Sequence, residues 1–198
     1  MTGSRHDIAW ERRRQLQVRQ ALAAGLAGPR GTDAARVRFL LACADYLVFA
    51  MDRLHLQDHA LDALLRERLA ADDTEPLALL ETVAERLAMS RELVEWLRWA
   101  AGELRRDGTA ALATFEAGAR RFTADFQGPA AAHRNPMAAW TTRLVTESDW
   151  VGIAGSTDAS RAREAELYAA VRAAAPAGAD PETFATGRSP AAAAAPTQ

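Results

Sequence analysis

The stretch Leu40-Leu41-Ala42-Cys43-Ala44-Asp45-Tyr46-Leu47-Val48-Phe49-Ala50-Met51-Asp52-Arg53-Leu54-His55-Leu56-Gln57-Asp58-His59-Ala60-Leu61-Asp62-Ala63-Leu64-Leu65 decides how this chain folds. It contains no Gly, no Pro and no alternation of apolar and polar residues, so it predicts one long helix rather than strands. Asp33 supplies a start signal, and the helix is expected to run to about Ala70. At about 100° per residue, Leu40, Ala44, Leu47, Val48, Met51, Leu54, Leu65 and Leu69 share one face. His55, Asp58 and Asp62 fall on that same face, and His59 lies at its edge.

His-x-x-Asp-His-x-x-Asp is an unusual interruption of an apolar stripe. Residues at i, i+3 and i+4 converge on one spot of a helix surface. Imidazole and carboxylate together suit iron, manganese or zinc. A charge in a bundle core is costly unless it is paired or bound to metal. Two readings follow. Either His55, Asp58, His59 and Asp62 ligate a metal ion, or the two carboxylates form buried ion pairs with Arg91 and Arg98 of the next helix.

Working outward, helical periodicity covers most of the chain. A first, Arg-rich helix is expected from about Ile8 to Leu26, ended by Gly28-Pro29-Arg30-Gly31. After the turn at Ala71–Pro76, Asp73 or Thr74 can cap a helix to about Arg106, with a kink or restart at Ser90. Asp107-Gly108-Thr109 ends it, and another helix runs from about Ala110 to Gln127. Gly128-Pro129 and Asn135-Pro136 disturb a segment from about Ala130 to Leu144. Glu147–Trp150 opens a short helix, and Thr157 or Asp158 caps the last one, to about Ala174. The expected fold is all-α: an antiparallel helical bundle, four-helix-bundle-like, with an N-terminal accessory helix. Residues 1–31 are the accessory helix and linker, 32–174 the bundle, and 175–198 an Ala/Pro-rich disordered tail.

Composition narrows the function. The 198 residues suit one domain, 49% are hydrophobic, and the net charge is −2, so no broad basic field attracts nucleic acid. No apolar run approaches the roughly 18 residues needed to span a bilayer, and the N-terminus lacks a signal-peptide core. The expected compartment is the cytoplasm. One Cys forbids an internal disulfide and cysteine-based metal clusters. All 24 basic residues are Arg, which excludes lysine Schiff bases and a Walker-type phosphate loop. No Glu-x-x-His, His-Glu-x-x-His or Gly-x-Ser-x-Gly occurs, and no nucleophile–base pair can be assigned. An enzyme is therefore the least supported class.

Other candidate ligands are few. His133 falls on the stripe Leu112, Phe115, Ala119, Phe122, Phe126 if that helix continues, and Glu116 sits beside the stripe. Trp96 and Trp99 lie on the polar side of their helix, beside Glu92, Glu95 and Glu103. Indoles there call for a partner. That partner is either the N-terminal helix folding back or a second subunit in a homodimer.

Two stretches resemble the hemerythrin-like (HHE cation-binding) family. One is Leu54–Leu69, with an acidic residue, a His and spaced aliphatics. The other is Phe126–Ile153, with His133, Trp140, Leu144 and Thr146-Glu147-Ser148-Asp149-Trp150, similar to the final helix of many bacterial members. The resemblance implies His59 as a metal-binding His, preceded by Asp58. It departs in two places. Met137 stands where a carboxylate is expected four residues after His133, and no His occurs from Ala60 to Ala132. A five-His di-iron site cannot be built. The resemblance implies a divergent member holding a metal ion, expected to be non-haem iron with zinc or manganese as substitutes, through His55, Asp58, His59, Asp62, Glu116 and His133. Oxygen or nitric oxide binding, iron sensing or iron storage would follow. The alternative is a metal-free bundle acting as a protein-interaction or structural module.

Overall fold

A computed structural model describes residues 4–28, 33–125 and 137–185. Among them every regular element is helical. The α-helices are α1 (Ser4–Ala27), α2 (Asp33–Arg68), α3 (Thr74–Asp107), α4 (Leu112–Asp125), α5 (Ala138–Leu144), α6 (Glu147–Ala154) and α7 (Asp158–Ala174). Short 3-10 turns occupy Gly108–Ala111 and Pro181–Phe184. No described helix is long and apolar enough to cross a membrane.

Local chemistry accounts for most boundaries. Thr146 and Asp149 form a reciprocal capping box at the start of α6, and Thr157 and Ser160 form another at the start of α7. Gly155 ends α6 in the left-handed region at φ 51°, which glycine adopts without a Cβ penalty. Asp73 occupies the cap position of α3, but its carboxylate accepts from the Ala70 N–H rather than from the new helix. The restart expected at Ser90 does not occur, and α3 is continuous. The Ser90 hydroxyl contacts His55 instead of capping.

Helix α2 is the axis of the molecule, packed against α1, α3, α5, α6 and α7. The main core combines Val18, Leu22 and Leu26 of α1 with Phe39, Leu40 and Leu47 of α2. Leu97 and Leu104 of α3, Phe115 and Phe122 of α4 and Val171 of α7 complete it. The first helix is thus not accessory. Val18 and Leu22 are fully buried, and each such side chain contributes roughly 1.5–3 kcal/mol. The first helix reads as polar because its inward positions include Gln15 and Gln17 beside Val18 and Leu22.

The expected disordered tail also needs correction over residues 175–185. Ala179, Pro181 and Phe184 are buried, and the 3-10 turn packs on α1. Phe184, an Asp180 cap on the Glu182 N–H and ion pairs from Arg172 to Asp180 and Glu182 fasten this stretch.

Two satellite clusters flank the far end of α2. Ile8, Trp150, Ile153 and Ala154 form one, against Leu61 and Leu64. Leu65, Leu69, Leu80 and Met137 form the other, with Trp140 alongside. Met137 is 3% exposed, so a carboxylate at this position would be desolvated among leucines. Four polar links join α2 to α3: Asp45 to Arg105, Asp52 to Arg98, His55 to Ser90 and Arg66 to Glu81. As the number rises along α2, it falls along α3.

Candidate functional site

The His–Asp interruption of α2 lies between the main core and the satellites, and its side chains go to different neighbours. His55 is buried and faces α3, where its Nε2 stands 2.9 Å from Ser90 Oγ. Burial lowers its pKa below the usual imidazole value, and the Arg91 charge adds to the effect. Asp58 and Asp52 pull the other way without prevailing. Asp58 faces α1 and pairs with Arg12. His59 is exposed. Asp62 pairs with Arg66 one turn on, at 2.9 Å, while its second oxygen is buried without a hydrogen bond.

Glu116 is 2% exposed and pairs with Arg36, which also donates to the Gly25 carbonyl at 3.2 Å. Arg120 reaches the other Glu116 oxygen at 3.1 Å. Arg36 lies near the start of α2, roughly 28 Å along the axis from His55 at about 1.5 Å per residue. Glu116 therefore serves the opposite end of the molecule from the His–Asp interruption. His133 lies outside the described residues.

These positions test the fit of an iron centre. Ligation needs several donors aimed at one point about 2 Å from each. Here His55, Asp58 and Asp62 are directed to α3, α1 and their own helix, and Glu116 is remote. Among the described residues, no three His, Cys, Asp or Glu side chains are grouped to hold a metal ion. The described donors do not converge on one point, as the group the resemblance implies would need.

The carboxylates are in partly exposed ion pairs, with Arg12 and Arg66 rather than the expected Arg91 and Arg98. Arg98 bonds Asp52 and Glu95, and Arg91 is exposed. A helical wheel shows which residues face inward; it does not show which helix stands opposite.

Sequence reasoning missed two polar braces on α1. Arg14 donates to Glu164 at 2.8 Å, and Glu164 accepts from the Tyr46 hydroxyl at 2.7 Å. The Arg14 guanidinium also lies 3.9 Å from the Tyr168 ring centre and 4.3 Å from that of Trp10. Glu11 accepts from both Arg53 and Gln57, each at 2.8 Å. A signal existed for the first brace. Glu164 precedes Leu167, Tyr168 and Val171 at i+3, i+4 and i+7, the spacing of an inward stripe.

The tryptophans separate. Trp96 packs on α4 rather than on the N-terminal helix. Its ring lies 6.3 Å from that of Phe115, and it rests on Gly118, where a Cβ would come within 1.9 Å of the indole. Trp99 remains 53% exposed. It forms one wall of a groove of about 250 Å³ between the end of α3 and the start of α4. Ala110, Ala111 and Phe115 line the groove, with Glu103, Asp107 and Thr114 at its polar side. No family model, no curated protein and no solved structure matches this chain.

Proposed function

We propose that this chain is a helical protein-interaction module that works through the Trp99 groove rather than through a metal centre. The observation that carries this reading is the contrast between Trp96 and Trp99. One indole is buried against α4, and the other is left half-exposed at the rim of a concave surface. Tryptophan is enriched among residues that dominate binding energy at interfaces. Among the described residues, none makes a ring or cation contact with Trp99. Of the His–Asp residues of α2, by contrast, His55 and Asp58 link it to α3 and α1.

The falling order of the α2–α3 links is the order given by an antiparallel pair. We read the helices accordingly, as an antiparallel bundle whose rigid outer face presents Trp99. Trp96 contributes to that face by holding α4 in place.

Selection of displayed random peptides against the full chain tests the reading. Peptides that bind the unmodified protein and fail on Trp99→Ala support it. Binders recovered in number but indifferent to Trp99→Ala would overturn it.

A further inference from the structure

We infer that the Trp99 groove receives a guanidinium group from a basic partner polypeptide; this inference rests on the interaction reading above. Two features favour positive charge there. The first is the exposed face of the Trp99 indole, whose quadrupole attracts cations, arginine more often than lysine. The second is the row of acids on the same outer face of α3. Glu85, Glu92 and Asp107 are exposed, and none makes an ion pair with a described residue. Asp107 also lines the groove itself.

The arginines from residue 98 to the end of α3 are engaged. Arg106 holds Glu103, Arg105 holds Asp45, and Arg98 holds Asp52 and Glu95. That leaves the Asp107 carboxylate available at the mouth of the groove. An arginine entering over the alanine floor would lay its plane along the indole and its nitrogens toward Asp107. Arginine's flat, weakly hydrated head suits such a site better than an ammonium.

A basic segment of another protein is the occupant that complements the face.

The test uses the full chain and blocked acetyl-Ala-Arg-Ala-amide, followed by the Trp99 indole N–H and Asp107 amide signals in proton–nitrogen NMR spectra. The control peptide carries citrulline, which has the shape of arginine without its charge. Saturable shifts of both signals are expected, with affinity about tenfold weaker for the citrulline peptide. Asp107→Asn should weaken the arginine peptide severalfold, and added salt should do the same. Equal binding of the two peptides, unaffected by Asp107→Asn, would overturn the guanidinium inference while leaving a Trp99-dependent interaction standing. No shift at either signal, with Trp99-dependent peptides recovered by display, would likewise overturn the inference alone. Loss of Trp99 dependence in the display selection would remove both. A light-scattering mass twice that of the monomer, reduced by Trp99→Ala, would assign the groove to a second copy and overturn the inference.

Discussion

His55 Nε2 and Ser90 Oγ stand 2.9 Å apart, joining the middle of α2 to the middle of α3. The contact explains two features at once. It gives a buried imidazole a partner, and it keeps Ser90 from capping a new helix. Ser90→Ala is expected to leave His55 without that partner and to cost about 1–3 kcal/mol, as read by urea denaturation. An effect within ~0.5 kcal/mol would show the contact to be incidental.

The same imidazole sets a pH dependence. Its folded pKa is lowered, first by burial and then by Arg91. The folded state therefore takes up the proton less readily than the unfolded chain. The His55 contribution to stability is unchanged above the unfolded value of about 6.5 and declines as pH falls through the lowered folded value. Denaturation midpoints of the protein and of His55→Gln should differ more at pH 7.5 than at pH 5. Equal differences at both would contradict the assignment.

Arg36 and Glu116 form the most buried ion pair described here, and Arg120 supports it. Removing one member leaves the other charged and desolvated. Glu116→Ala should cost about 3–5 kcal/mol, and adding Arg36→Met should recover part of that loss. Strictly additive losses in the double variant would show the two side chains to be energetically independent.

Leu22 of α1 is fully buried in the main core. Leu22→Ala should cost about 2–5 kcal/mol and lower the midpoint of the whole molecule, in one transition. A separate early transition of α1, with the rest unaffected, would restore it to an accessory role.

Gly118 and Trp96 form a close packing pair. Gly118→Ala should cost about 1–3 kcal/mol through overpacking and change the tryptophan emission. Trp99→Ala should cost far less, since that indole is not enclosed. The reverse order of costs would place the structural role on Trp99.

How much could be read in advance depended on how local the determinant was. The extent of α2 follows from unbroken helix-forming residues, and Thr146 and Thr157 announce α6 and α7 through capping chemistry. The inward placing of His55 follows from the wheel. The partners of Asp58 and Glu116 do not, because Arg12 and Arg36 reach them from α1 and from the start of α2. A one-dimensional period carries no information on which helix lies opposite. The role of Trp96 had a faint local sign in Gly118, a glycine inside an otherwise helical stretch. The buried 179–184 segment was hidden because Ala179, Pro181 and Phe184, with one cap and the distant Arg172, anchor a stretch whose composition is that of a linker.

The most direct test of the account is metal retention by the full chain. The protein would be incubated anaerobically with ferrous iron, desalted, and assayed for iron by mass spectrometry, with its thermal midpoint measured in parallel. The account predicts well under one equivalent of iron and an unchanged midpoint, because binding to the native state alone would raise it. One or two retained equivalents, lost in His59→Ala, would contradict it and make the His–Asp interruption of α2 a working metal site.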